Sequence, residues 1–455
     1  MPEPAAAALG RTFLESALAR DGGEMDFGQI HAWLERARET HRFRTEAIPF
    51  AELARWRFHP ATGNLEHESG RFFTIDGLKV ETNFGTVPHW SQPIINQPEI
   101  GILGILAQRR RGILHFLMQA KMEPGNIRTV QVAPTLQATR SNYMRVHQGR
   151  APAYLEYFRG ERPRRALVDI LQSEQGARFL RKRNRNVVVE VPEGEVVPIG
   201  ADFAWLTLGQ IQRLLLEDNV VNMDARTVLS CISYAQAPDV GGDCHGDDEV
   251  VSWFTEMKCR WELNVERIPL NQVADWVRTP MEIRHREGRF FTVMAVRVEA
   301  ENREVGAWTQ PIVRPHEPGI VAFLARPIRG QLHLLVQAKV EAGNFDVVEM
   351  APTVQCLTGS YRTSTCPPPF LHEVLAAPPE RILFDAMQSE EGGRFFREEN
   401  RSLIVWAGDD LPARMPDNYL WVSLRQLKNL IRYNNFLNVQ CRCLLGCLPV
   451  EQARA

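Results

Sequence analysis

Between residues 116 and 123 the chain alternates, with Phe116, Met118, Ala120 and Met122 on one parity and Leu117, Gln119, Lys121 and Glu123 on the other. A period of two is the spacing of a β-strand, so the stretch predicts a strand with one apolar face and one that turns abruptly polar. The "EPGN" that follows suits a type II turn with Pro124 and Gly125 in its central positions, and a returning strand carries Gln131, Ala133, Thr135 and Gln137 on one side. Helical spacing predicts helices in "FGQIHAWLERARETHRF" (27–43), "VVSWFTEMKCRWELN" (250–264) and "ALVDILQSEQGARFLRKRNR" (166–185). The β-branched "NVVVEV" that follows the last of these predicts a strand, and Leu208, Ile211, Leu214 and Leu215 form one stripe behind Thr207, a suitable N-cap.

These patterns occur twice. "FLMQAKMEPGNIRTVQVAPTLQ" at 116–137 is answered 218 residues later by "LLVQAKVEAGNFDVVEMAPTVQ", and the same spacing carries "RFFT" from Arg71 to Arg289 and "WSQPI" at Trp90 onto "WTQPI" at Trp308. Further on, "LQSEQGARF" at Leu171 is answered by "MQSEEGGRF" at Met387, and the stripe behind Thr207 by Leu424, Leu427, Leu430 and Ile431 behind Ser423. A unit of roughly 200 residues is far longer than solenoid or propeller periods, so the chain is a duplicated domain and not an array. The expected organisation is an N-terminal helical segment (1–45), a first repeat (46–235), a Gly- and Asp-rich linker (236–250) and a second repeat with its leading helix (251–455). Helices and short-turn strands together predict an α+β fold with mixed or antiparallel sheets.

Composition narrows the function classes. At 455 residues, a formal net charge of −2 and 44% hydrophobic content, the sequence describes large buried cores without the basic surface that nucleic acid requires. No apolar run approaches the roughly 20 residues that span a bilayer, and "MPEPAAAALG" lacks the form of a secretion signal, so the expected compartment is the cytoplasm. Of eight Cys only Cys231 precedes residue 240, which argues for reduced thiols, and the spacing of Cys441, Cys443 and Cys447 matches no common zinc motif.

Candidate chemistry sits where the copies agree. A solvent-washed sheet face would be free to drift between two copies, yet Gln119, Lys121, Asn126, Thr135 and Gln137 recur in order as Gln337, Lys339, Asn344, Thr353 and Gln355. We read these faces as pocket floors, each with one Lys among amide and hydroxyl groups suited to an anion of several oxygens. A second shared constellation comprises Gln172, Glu174 and Arg178, answered by Gln388, Glu390 and Arg394. Trp90 and Trp308 either stack on a heterocycle or fill a core, and His115 and His333 read as structural.

The paired "QAK" hairpins with "EPGN" or "EAGN", the "APT" followed by Gln, "YLEYF" at Tyr154 and the paired "QSE" segments together resemble the NDP-hexose 2,3-dehydratases over nearly the whole chain. The resemblance implies two Nudix-type domains, a homodimer, and a dTDP-4-keto-6-deoxy-D-glucose substrate in 2,6-dideoxysugar assembly for antibiotic-type natural products. The metal-binding box of true Nudix hydrolases is missing, since "GGRFFREENR" at 392–401 is only superficially similar, so no metal is expected. The implied reaction removes a proton from C3, places charge on O4 and expels the C2 hydroxyl. No hydride moves and no "GxGxxG" follows a strand, so no nicotinamide or flavin cofactor is expected either.

Such an elimination needs a base, donors at O4 and an acid. By chemical type the bases are Glu174 or Glu390, the O4 donors Lys121 or Lys339, and the acids Tyr143 or Tyr361. Arg178, Arg394 and one of Arg145 or Arg362 suit the diphosphate. The two pockets are expected to have diverged, with His89, His147, Tyr154 and Tyr157 near the first and Ala307, Thr365 and "CPPPFLHEV" near the second, which favours the first as catalytic. A non-catalytic sugar-nucleotide-binding protein and a purely structural dimer are the alternatives from other classes.

Overall fold

The computed structural model describes residues 3–144, 151–234, 242–301, 303, 305–356, 367–408, 411 and 414–453. Each repeat holds one seven-stranded sheet and shares one five-stranded sheet. In the first large sheet the strands Arg165–Ser173, Arg183–Val191, Gly101–Arg110, Ile113–Met122 and Phe203–Leu206 lie side by side, with Val130–Ala133 and Leu136–Ala138 attached. All neighbours are antiparallel except Arg183–Val191 with Gly101–Arg110. The second large sheet repeats this order with Ile382–Ser389, Glu399–Trp406, Gly319–Ile328, Gln331–Lys339 and Tyr419–Ser423. The fold is therefore α+β and duplicated.

The alternation in 116–123 has the expected consequence. Phe116, Met118, Ala120 and Met122 enter a core shared with the closing helices of both repeats, while Leu117 enters a smaller core on the opposite side of the sheet. Thr207 and Ser423 cap Leu208–Leu214 and Leu424–Leu430, each in a reciprocal box with a Gln three residues on. The leading helices are Phe27–Thr40 and its counterpart Asp247–Arg260, so the end of the proposed linker, from residue 247, is already helical.

Two expectations fail. Residues 166–185 form no helix. They make the ends of the antiparallel strands Arg165–Ser173 and Arg183–Val191 with a loop between them, because pairing within the sheet overrides a spacing that local sequence leaves ambiguous. Nor is "EPGN" a type II turn, which needs a positive φ at its third residue, for Gly125 is not among the residues with positive φ. What requires glycine there is space, as a Cβ on Gly125 would lie 1.6 Å from the Phe395 carbonyl oxygen of the other repeat. The same holds for Gly343, whose Cβ would lie 1.8 Å from the Phe179 oxygen.

The repeats are interlocked by exchange. Phe43–Ile48, which precedes the first repeat's own strands, pairs with Phe291–Ala300 of the second, and Leu263–Ile268 pairs in return with Thr74–Thr82. Between these two small sheets one core mixes Phe50, Phe73 and Phe179 with Phe291, Val293 and Phe395, and the rings of Phe179 and Phe395 meet edge-on at 5.7 Å. Each hairpin tip docks on the other repeat's "QSE" loop, through Gly125 N–H to Gly392 O and Gly343 N–H to Gly176 O, both 2.7 Å.

Candidate active site

Lys121 and Glu123 leave the hairpin strand on its polar side and line a cavity of about 340 Å³. From the same repeat come Gln137, Lys182, Asn184 and Asp224. Glu391, Gly393 and Arg394 come from the docked loop of the second repeat, with Trp308 and Gln310 from its small sheet. Trp56, His67, Phe72 and Phe73 supply an aromatic wall in edge and tilted contact with one another. The site thus exists only because the repeats are docked, since neither alone carries both Lys121 and Arg394.

Inside it, Lys121 Nζ stands 3.8 Å from Glu123 Oε1, which also accepts from Gln137 Nε2 at 3.0 Å. Arg394 joins the two kinds of wall, as its guanidinium lies 4.3 Å from the Phe73 ring centroid and its Nε donates to Gln97 Oε1 at 3.3 Å. Burial pulls its pKa below the ordinary value, and neighbouring Glu391 and Glu123 oppose the shift. Lys182 donates to the Glu99 carbonyl and is brought down to about 8 by burial, against the attraction of Glu174 and Glu391. Burial pushes Glu391 up to about 7 and raises Asp224, whose nearest charges include Glu391 and Glu123. A site in which the carboxyls of Glu391 and Asp224 and the amine of Lys182 have displaced pKa values is suited to proton transfer.

Of the residues singled out from sequence, Lys121, Gln137, Trp308 and Arg394 meet here, and so does Ala307, which was expected beside the second pocket but lines the first because the small sheet of the second repeat walls the cavity of Lys121. Their counterparts Lys339, Gln355, Trp90 and Arg178 occupy the mirror position across the approximate two-fold. There Gln355 Nε2 donates to Glu341 Oε1 at 2.8 Å, and Arg178 lies over the Phe291 ring, 4.0 Å from Glu398. The indole N–H groups of Trp90 and Trp308 donate to Gln92 and Gln310, which hold Ala177 O and Gly393 O.

The remaining candidates are engaged elsewhere. Gln172 and Gln388 donate across the repeat interface to Ile431 O and Leu215 O, each at the end of the opposite closing helix. Glu174 is buried behind the cavity and accepts from Asn184 at 2.7 Å, while Glu390 is buried on the mirror side and accepts from Asn400 at 2.7 Å and from Gln175, the pKa values of both raised by burial. Thr135 and Thr353 staple neighbouring strands, accepting from Leu106 N–H and Leu324 N–H and donating to Leu117 O and Leu335 O. Asn126 closes its own turn onto Lys121 O and Thr129 O, while Asn344 packs on Gly176 of the other repeat.

Gln337 donates to Pro352 O and Thr353 O, and Gln119 is half-buried off the cavity. Tyr143 and Tyr157 pack into the small core of the first large sheet. Arg145, Tyr361 and Arg362 lie outside the described residues, as do His147 and Thr365.

Recurrence between the copies therefore marked the joint as much as the site. What it missed were Lys182, Asp224 and Glu391, whose signal is disagreement, because the second repeat carries Glu398, Gln440 and the first carries Gln175 at the equivalent positions. Cys441, Cys443 and Cys447 are buried on or beside the helix Val439–Gly446 as small apolar groups, and among the described residues no three His, Cys, Asp or Glu side chains are arranged to hold a metal ion.

Comparison with known proteins agrees with this duplicated architecture. The family model described as NDP-hexose 2,3-dehydratase matches twice, over residues 27–232 and 247–448. A dTDP-4-dehydro-6-deoxy-alpha-D-glucopyranose 2,3-dehydratase of Saccharopolyspora spinosa is 48% identical over 98% of this chain and 96% of its own. Enzymes of the same name from Amycolatopsis orientalis and Streptomyces violaceoruber are 47% and 45% identical, over 96% and 93% of this chain and 93% and 97% of theirs. With both repeats matched and relatives aligned almost end to end, the chain belongs to the NDP-hexose 2,3-dehydratase family.

Proposed function

We propose that this chain eliminates water from C2 and C3 of a dTDP-4-dehydro-6-deoxy-glucose, and that the cavity between the repeats is where it does so. The observation that carries the location is the convergence of Lys121, Arg394 and the carboxyls of Glu123, Asp224 and Glu391 beside an aromatic wall. The aromatic residues suit the base of the nucleotide, Arg394 the diphosphate, and Lys121 the oxygen at C4, where negative charge develops as C3 loses its proton. Loss of water from dTDP-4-dehydro-6-deoxy-glucose, read by mass spectrometry, tests the reaction. Lys121→Met should slow single-turnover dehydration by about a hundredfold, as for loss of an oxyanion donor. An unchanged rate would remove Lys121 from O4.

The mirror position supports a second nucleotide-sugar pocket without turnover. Around it Nε and Nη2 of Arg178, both carboxyl oxygens of Glu398 and both amide atoms of Gln440 are buried with no hydrogen-bond partner among the described residues. Calorimetry should count two ligands per chain, and Lys339→Met should weaken one of them and spare the rate.

We read each repeat as a Nudix-like domain whose metal chemistry is lost. The segment 392–401 runs from a turn into the strand Glu399–Trp406 and does not form the helix that a Nudix box needs. Turnover should survive exhaustive chelation, whereas loss with EDTA and recovery with Mg²⁺ would overturn this. The reading as a cytoplasmic homodimer serving antibiotic-type deoxysugar assembly follows the family resemblance. Light scattering on the purified protein tests the dimer.

A further inference from the structure

We propose that Glu391 is the base that takes the C3 proton and Asp224 the acid that protonates the departing C2 hydroxyl, a pair assembled from both repeats. This rests on the reading of the cavity as the dehydration site. Asp224 stands in the first turn of the helix Met223–Ser230 of the first repeat, and Glu391 on the docked loop of the second, yet both line the same cavity. Their surroundings differ in the sense the two roles require. Burial raises Glu391, and of the charges that act on it Arg394 and Lys182 favour its ionised form while Glu174 and Glu123 oppose them. Burial holds the proton on Asp224, and the carboxyls of Glu391, Glu123 and Glu174 add to that effect against the single opposing charge of Lys121.

The proton inventory closes. Glu391 takes the C3 proton, and the C–H pair forms an enolate whose charge rests on O4. The enolate then reforms the C4 ketone, a double bond forms between C2 and C3, and the C2–O bond breaks as Asp224 gives its proton to the leaving oxygen, releasing water. The enol relaxes to the 3-ketone when C2 receives the proton now on Glu391 and O3 gives its own to Asp224. Both carboxyls return to their starting states, and no oxidant or reductant is needed.

Divergence between the repeats is the second, independent support. At the mirror position the two carboxyls are replaced by Gln440 and Gln175, and Lys182 by Glu398, while the binding groups Lys339, Glu341, Gln355 and Arg178 persist. An amide neither takes nor gives a proton at neutral pH, so the mirror pocket retains Lys339 and Arg178, which would hold an anion, and lacks the counterparts of this base and this acid.

The test compares wild type, Glu391→Gln and Asp224→Asn, with dTDP calorimetry to report that the pocket is intact. Wild type must release water from dTDP-4-dehydro-6-deoxy-glucose, and its failure would sink the cavity reading itself. Given that activity, both variants should lose dehydration by about a hundredfold or more. In D₂O, Glu391→Gln should also abolish exchange of the C3 hydrogen, whereas Asp224→Asn should retain it. Near-wild-type turnover in either variant overturns the assignment, and so does exchange retained in Glu391→Gln. Should an amide variant bind no dTDP, the alanine variant is assayed with added formate. A rate that climbs with formate supports the role, and a flat response refutes it.

Discussion

Space, and not dihedral angle, fixes glycine at residue 125, where the Phe395 oxygen leaves no room for a methyl group. Gly125→Ala should therefore cost about 3 kcal/mol or more, since backbone must move on both sides of the contact. Urea unfolding measures this, and a loss below about 1 kcal/mol would show the joint to be more yielding than its geometry. Buried carboxyls make a second prediction at this scale. Glu349, Glu391 and Glu398 are each pushed up to about 7 by burial from an ordinary 4.5. At low pH each is neutral in the folded and the unfolded chain. As pH climbs past 4.5 the unfolded chain ionises first, so stability present at low pH is lost until the folded groups ionise near 7. Glu349→Gln preserves the oxygen that accepts from Ser173 Oγ, at 2.8 Å in the wild type, and should flatten the fall in melting temperature between about pH 5 and 7. An identical slope would place the titration elsewhere.

Helix ends and helix stripes were legible because their signals are local. Thr207 with Gln210 and Ser423 with Gln426 form the boxes that their spacing offered, and Thr207→Ala or Ser423→Ala should each cost about 1 kcal/mol in denaturant unfolding. A cost near zero would mean that tertiary packing alone fixes the helix start, with Thr207 donating only to Ala19 O. Residues 166–185 were illegible for the opposite reason. Their polar and apolar residues fit a helix or a strand about equally, and the partner that decides, Gly101–Arg110 beside Arg183–Val191, lies some 80 residues away in the chain. The "QSE" loop between Arg165–Ser173 and Arg183–Val191 was read as a ligand-binding constellation because it recurs. It recurs because each copy docks on the other's hairpin, and an approximate two-fold doubles every residue of such a contact.

Across the whole molecule, reciprocal exchange of Phe43–Ile48 and Leu263–Ile268 makes the two halves one folding unit. Residues 1–240 expressed alone would leave Thr74–Thr82 without its outer neighbour and the Phe179 core open, and such an edge seeks another strand. The isolated half should self-associate or aggregate, while co-expression with 242–455 should restore a one-to-one complex that binds dTDP. A stable, monomeric first half in gel filtration would show that the exchange decorates a fold already complete. The same docking carries Glu391 and Arg394 to Lys121 and Asp224, so the cavity they line is present only when the two halves are joined.

The sequence by itself determined the duplication, the α+β class, the hairpin with its polar face, the capped closing helices and the family, because each is written in local spacing or in the order of motifs. It also marked Lys121, Gln137, Trp308 and Arg394, all of which reach the cavity. Only the tertiary structure decided that Gln172 and Gln388 bridge the repeats, that Glu174 and Glu390 are buried acceptors of Asn184 and Asn400, and that Asp224 and Glu391 line one cavity. The physical reason is that a site built across a repeat interface is defined by which surfaces dock. Docking is set by complementarity between residues more than 150 positions apart, as with Gly125 and Gly392 or Gly176 and Gly343, and that distance leaves no periodic trace along the chain.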